Sequence, residues 1–307
     1  MNDSSDYLMK SLIKFFKYHG LGNDFILFDY LEEGISDTHY SLNKEFIMRI
    51  CSRNFGIGAD GVIFALPSKN EYDVLMRIFN SDGTEAEMCG NGIRCLTKYL
   101  FDKEIISSKP KLSISTLAGP IQVSLTKNKD VSVDMGRPLL KPNSIPTTMP
   151  MSEFGLPKTS ITLDGMKLNV CSVGMGNPHM IVRFDDLENL QLYTVGPKLE
   201  SHKFFPLKTN VHFLKVISKT HLQIKVWERG CGETLACGTG ACATLVAAHL
   251  LGLADNSNVE VSLPGGSLYI SWPNRDSSVF MTGSAELVFE GVLPCDLEKH
   301  FHSSLNS

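Results

Sequence analysis

Cys89 and Cys237 each stand four residues after a glutamate and directly before a Gly-x-Gly, in two stretches that are versions of one another. The first reads Arg77-Ile-Phe-Asn-Ser-Asp-Gly-Thr-Glu-Ala-Glu-Met-Cys-Gly-Asn-Gly92, the second Lys225-Val-Trp-Glu-Arg-Gly-Cys-Gly-Glu-Thr-Leu-Ala-Cys-Gly-Thr-Gly240. Equivalent positions (77 and 225, 85 and 233, 89 and 237, 92 and 240) all differ by 148. Gly-x-Gly at the mouth of a helix leaves backbone N–H groups open, and with the helix dipole they favour an anion such as a carboxylate. The same field is expected to lower a cysteine there from about 8.5 toward neutrality, so that it can act as base in one direction and acid in the other. Two such thiols facing each other across a cleft would take an α-proton from one face of a carbon and return one to the other. That inverts a stereocentre, with the enolate-like charge held by the converging N–H groups. No pyridoxal phosphate is needed, and no phosphate cradle with a lysine is evident.

A single Cys-Gly-x-Gly has little specificity, because a buried cysteine beside a turn is its commonest use. Repetition reverses that balance, and the repeat extends beyond the cysteines. Leu21-Gly-Asn-Asp24 resembles Met175-Gly-Asn-Pro178, and Leu117-Ala-Gly-Pro120 resembles Leu263-Pro-Gly-Gly266. A helix is expected after each cysteine: Ile93, Leu96, Tyr99 and Leu100 recur at helical spacing, and Ala241–Leu251 is apolar almost all round, as a central helix would be. Runs such as Val62–Ala65, Val74–Phe79, Leu112–Thr116, Val131–Met135, Leu222–Trp227 and Val259–Leu263 read as strands. Five prolines between Pro138 and Lys158 exclude helix and central strand there and suggest a linker between the copies.

At 307 residues, with 43% hydrophobic and 20% charged residues, the chain has the length and composition of two globular domains. A formal net charge of −4 gives no reason to expect nucleic acid or an anionic membrane as partner, and no apolar run approaches the roughly 18 residues of a membrane span. Residues 1–12 lack the basic start and unbroken apolar stretch of an export signal and are expected to form a disordered extension. The eight cysteines are then read as free thiols of a cytoplasmic protein, and their spacing does not match the usual zinc knuckles, so no metal is expected.

With both cysteine stretches in view, the chain resembles the diaminopimelate epimerase family. The matching segments are Lys17–Phe25, Gly56-Ile-Gly-Ala-Asp60, Phe79–Cys95, Gly176-Asn-Pro-His179, Thr209-Asn-Val211 and Trp227–Gly240, in family order from about Phe16 to Gly291. The resemblance implies a cofactor-independent, two-base epimerase that interconverts LL- and meso-diaminopimelate for lysine and peptidoglycan synthesis. It implies Cys89 and Cys237 as the acid/base pair, and Gly90, Asn91, Gly238 and Thr239 as donors around the reacting carboxylate. Asn23, Asn80, Asn177, Asn210, Glu228 and Arg229 would be the other substrate ligands, with Arg229 gripping the distal carboxylate in a bidentate fork. His179 and Glu228 would tune the protonation of the cysteines. Glu85 and Glu233 are expected to hold backbone amides near the cysteine turns. Many family members carry a glutamine that reaches the substrate where this chain has Gly61.

The fold implied is α+β: two pseudo-symmetric domains from an internal duplication, each an antiparallel, barrel-like sheet around a central helix. The expected boundaries are 13–134 with a final strand 283–293 returning to it, 135–282, and a tail 294–307. The expected partner is the small-molecule substrate; a homodimer is compatible with the sequence. Another cofactor-independent racemase of the proline or hydroxyproline type is the nearest alternative, and a thiol-redox or metal-binding protein a more distant one.

Overall fold

The computed structural model describes residues 12–32, 43–68, 70–106 and 109–294. The expected N-terminal extension, the C-terminal tail and Cys295 lie outside them, apart from the backbone of Leu12 and Pro294. The chain divides into two compact units, one of residues 1–20, 24–122 and 285–307, the other of residues 21–23 and 123–284.

In the first unit the strand Leu12–Gly20 pairs antiparallel with Glu286–Pro294. Asn23–Asp29 pairs parallel with Gly61–Leu66, which pairs antiparallel with Val74–Asn80, and the last pairs parallel with Lys111–Thr116. A short helix, α1 (Lys44–Cys51), begins where the Asn43 side chain accepts from Glu45 N–H at 2.9 Å. Ile47 and Ile50 pack its inner face against Phe28, Phe64 and Phe79. The main helix, α2 (Gly90–Asp102), is buried along most of its length and lies against Leu12–Gly20, Gly61–Leu66, Val74–Asn80 and Glu286–Pro294.

The second unit repeats this plan. Pro178–Arg183 pairs parallel with Asn210–Ser218, which pairs antiparallel with His221–Glu228, and this pairs parallel with Val259–Leu263. The sheet continues antiparallel through Gly266–Ser271 and Phe280–Gly283 to Val131–Asp134. Helix α3 (Leu192–Glu200) covers one flank, and helix α4 (Gly238–Leu250) runs through the middle, touching seven strands of its own unit. Every residue from Gly240 to Ala248 on α4 is buried, as a helix apolar on all sides requires. Among the described residues, two parallel joins interrupt the antiparallel pairing in each unit, and those joins fall at equivalent places in the two copies.

The proline-rich stretch is not a solvated linker. It holds neither α-helix nor long strand, as proline dictates, but Ile145 and Met149 sit within the second unit's apolar core and Leu156 is fully buried. Apolar residues between the prolines anchor an otherwise irregular segment to the sheet.

Candidate functional site

Both cysteines occupy the N-cap of their helix with similar extended backbone, φ −140° and ψ 120° at Cys89, φ −126° and ψ 103° at Cys237. At Cys89 the sulfur accepts from the Gly92 N–H at 3.5 Å, an arrangement that suits a sulfur bearing negative charge. Gly90 and Asn91 are buried in the same turn. Behind them Arg94, with no exposure at all, donates from Nη1 to the Gly90 carbonyl at 3.2 Å. Asn80 ends its strand in a tight turn: its amide donates to Thr84 Oγ1 at 3.0 Å, and the side chain is exposed.

The Gly-Asn turns that lead into strands Asn23–Asp29 and Pro178–Arg183 use the same left-handed glycine, φ 83° at Gly22 and 82° at Gly176. Asn23, partly buried, follows the first and Asn177 the second. In the first unit the neighbouring Asp24 is tied to Asp60 of the Gly-Ile-Gly-Ala-Asp segment by reciprocal bonds: each carboxylate accepts the other's backbone N–H at 3.1 Å. Arg53 bridges both carboxylates at 2.8 Å, and Lys17 adds an ion pair to Asp24 at 2.9 Å. Burial works against the Asp24 charge, but Arg53 and Lys17 overcome it and hold the carboxyl at about 2. The spaced acidic motifs thus act as a clamp between loops. At Gly61, a Cβ would lie 2.4 Å from the Phe79 carbonyl oxygen, so this backbone admits no side chain without a shift.

In the second unit Asn210 is buried and its amide joins three segments: Nδ2 donates to the Pro178 carbonyl at 3.0 Å, and Oδ1 accepts the Arg229 N–H at 2.9 Å. Arg229 is exposed, with Nη1 donating to the Leu207 carbonyl at 3.1 Å. Glu228 accepts from Thr234 Oγ1 at 2.6 Å and lies beside the Cys237 thiol. The Thr239 hydroxyl is 3.6 Å from the Cys237 sulfur, and Gly238 is buried.

The expected lowering of the cysteine does not hold at Cys237. Burial pushes its thiol well above the ordinary range, and the Glu228 carboxylate pushes it further; the Thr239 hydroxyl and Gly240 N–H do not offset this. Desolvating a thiolate outweighs the open N–H groups of the helix end. The Glu228 carboxyl is itself raised by burial. Glu85 differs from expectation too: it forms a two-pronged pair with Arg77, at 2.7 and 2.8 Å.

His212 escaped the reading of the sequence. It is fully buried on Asn210–Ser218, one side-chain repeat along from Asn210, and it lies directly under Gly240, where a Cβ would come within 2.0 Å of its ring. Nδ1 of His179 and Nε2 of His212 are 2.8 Å apart, and Nε2 of His179 is 2.7 Å from Asn177 Oδ1. With that amide oxygen as acceptor, His179 carries its proton on Nε2, His212 donates from Nε2, and Nδ1 of His212 has no partner. Burial keeps both rings neutral, with His212 lowered to about 3. Strand register gives the counterparts in the first unit. His179 faces Asn210 as Phe25 faces Gly61, and Ile181 faces His212 as Leu27 faces Ile63. The signal in the sequence was a lone histidine in an apolar run, which packing alone also explains.

His179, His212 and Cys237 converge, each offering a ligand atom within 4.8 Å of the others. Among the described residues the cysteines are all free thiols, and Cys231 alone of them is exposed.

A family model described as diaminopimelate epimerase matches residues 15–141 and 171–288. A diaminopimelate epimerase from Prochlorococcus marinus (strain MIT 9313) is 53% identical over 93% of this chain and 94% of its own length. Diaminopimelate epimerase 1 of a Nostoc species is 50% identical over 92% of this chain and 99% of its own. Among solved structures, a hydroxyproline epimerase from Agrobacterium vitis aligns with TM-score 0.64 at 14% identity over 94% of both chains. A PhzF-family phenazine biosynthesis protein of Bacillus anthracis aligns with TM-score 0.64 at 18% identity, over 92% of this chain and 99% of its own. At such identities these two show a shared fold alone.

Proposed function

The chain belongs to the diaminopimelate epimerase family, and from that premise we propose that it interconverts LL- and meso-2,6-diaminopimelate with Cys89 and Cys237 as acid and base. One observation carries the assignment of roles: the two copies of the fold each place a cysteine at the N-cap of their main helix, with closely similar backbone angles. Inverting a stereocentre by proton transfer needs a base on one face of the carbon and an acid on the other, which is a demand for two equivalent groups. Cys237, held protonated by burial and by Glu228, is the acid of the resting form. Cys89, with the Gly92 N–H on its sulfur, is its base. The roles exchange in the reverse direction.

Gly90, Asn91, Gly238 and Thr239 supply backbone and hydroxyl donors to the reacting carboxylate, whose charge grows as the α-proton leaves. Arg229 uses one guanidinium nitrogen on Leu207, and the rest of its fork is assigned to the distal carboxylate of the substrate. Asn23, Asn80, Asn177 and Glu228 complete the polar set. Asn210 acts through the backbone segments it ties together as much as by direct contact, since both ends of its amide are already engaged. His179 and Glu228 set the protonation of Cys237, one as a neutral neighbour and one as a carboxylate. The product serves lysine and peptidoglycan synthesis. Among the described residues no helix is long and apolar enough to cross a membrane.

In D₂O, reduced protein should place deuterium at the α-carbon of LL- and meso-diaminopimelate as they interconvert, leaving proline unlabelled. Cys89→Ser and Cys237→Ser should each lower the epimerisation rate by about 10²–10⁴-fold. Full activity in either variant would overturn the two-base assignment, and labelling of proline would overturn the substrate.

A further inference from the structure

We propose that His179, His212 and Cys237 form a buried binding site for a thiophilic divalent cation of the zinc type, and that an ion held there withdraws Cys237 from proton transfer. The three side chains come from different strands and a helix cap, so no Cys-x-x-Cys or His-x-x-x-His spacing announces them. Pairing of Pro178–Arg183 with Asn210–Ser218 puts His179 and His212 on adjacent strands, and the first turn of α4 brings Cys237 over them.

Three features favour zinc over a hard cation. Two imidazoles and a thiol are borderline-to-soft donors, the set that selects Zn²⁺ against Mg²⁺ or Ca²⁺. The ligand atoms lie within 4.8 Å of one another, and a tetrahedral zinc with Zn–N near 2.0 Å and Zn–S near 2.3 Å wants them roughly 3.4–3.6 Å apart. The histidines, at 2.8 Å, must open slightly and the sulfur closes by at most about 1.2 Å, so metal entry replaces the His179–His212 hydrogen bond. The orienting contact is also in place: Asn177 Oδ1 holds His179 through Nε2, leaving Nδ1 to face the ion.

Charge closes as well. Binding forms the Zn–S bond as the Cys237 thiol gives up its proton to solvent, and the thiolate together with the neighbouring Glu228 carboxylate balances the dication. The equivalent ring positions in the first unit are Phe25 and Ile63, so the site belongs to one copy of the repeat only.

Cation binding itself does not depend on the epimerase reading; only the inhibition does. Titrating the reduced full-length protein with Cd²⁺ should give an ultraviolet thiolate-to-cadmium band that saturates at one ion per chain and is absent in Cys237→Ser. His212→Asn should weaken Cd²⁺ binding by at least about tenfold. X-ray absorption of the wild-type zinc complex should show one sulfur and two imidazole nitrogens around the metal, a readout that needs no variant to fold. Zn²⁺ should abolish activity and a chelator restore it, while millimolar Mg²⁺ has no effect. A shell of several sulfurs, a shell without sulfur, or affinity unchanged in His212→Asn would overturn the site. A confirmed ion with activity undiminished would overturn the inhibition and leave the site.

Discussion

Gly240→Ala tests the packing that joins helix α4 to the histidine pair. The substitution adds one methyl, and its ideal position lies 2.0 Å from Cε1 of His212, 2.6 Å from Nε2 and 2.7 Å from Nδ1. Ordinary contact begins near 3.4 Å, so the ring must retreat by roughly 1.4 Å. It cannot retreat freely, being fully buried and bonded to His179 at 2.8 Å. Overpacking of this kind costs about 1–3 kcal/mol. Losing the ring-to-ring hydrogen bond adds about 1 kcal/mol. Replacing glycine by alanine in a helix returns up to about 1 kcal/mol, since the backbone here needs no positive φ. The net expectation is a destabilisation of about 1–3 kcal/mol.

The same substitution in a His212→Ala background meets no ring, so only the helix-propensity gain remains. Gly240→Ala should there be neutral or stabilising, with a coupling energy of about 2–4 kcal/mol between the positions. The assay is urea unfolding followed by tryptophan fluorescence. The chain has two tryptophans, Trp227 and Trp272, both in the second unit, so the signal reports that unit. Gly92→Ala supplies the contrast: its methyl meets the flexible end of Ile78 at 2.6 Å, where rotation relieves the clash, and it should cost less. A Gly240→Ala protein within about 0.5 kcal/mol of wild type, or an undiminished cost when His212 is alanine, would refute the packing argument.

Two further perturbations follow from the electrostatics. Asp24 is held at about 2 against an ordinary 3.8, a depressed folded value; its contribution is therefore complete above the unfolded value and lost as pH falls from about 5 to about 2. Nearly two units correspond to about 2.5 kcal/mol, reduced by the solvent exposure of Arg53 to about 1–2 kcal/mol. Asp24→Asn should lose that amount at pH 7 and converge on wild type only as pH falls to about 2, and a pH-independent gap would count against the clamp. Thiol labelling of the native protein should reach exposed Cys231 first and leave Cys51 and Cys171 unmodified, since burial pushes both thiols up to about 12. Peptide mass mapping that finds Cys171 modified as fast as Cys231 would contradict this.

Features written by short-range interactions were legible in the chain. A cysteine at an N-cap, the Gly-x-Gly after it and the apolar spacing of α2 and α4 involve residues within a turn or two of each other. Strand alternation from Val62 to Leu263 is equally local, and the 148-residue offset exposed the duplication without any knowledge of contacts. The resemblance to diaminopimelate epimerases rested on the same stretches. What is not legible involves neighbours distant in sequence. The proline-rich segment reads as a linker, because its prolines are visible in the sequence and the core that receives Ile145 and Met149 is not.

By itself, then, the sequence determined where two thiols would stand on their helices and that the fold would be built twice. Only the tertiary structure decided what surrounds them. Parallel strand pairing sets His179 beside Asn210 and brings His212 to His179, partners 31 and 33 residues away along the chain. The field at Cys237 is likewise a tertiary property. The helix end that favours a thiolate is encoded in Gly-x-Gly, whereas the desolvation and the Glu228 charge that override it arise only when strand and helix close over the sulfur.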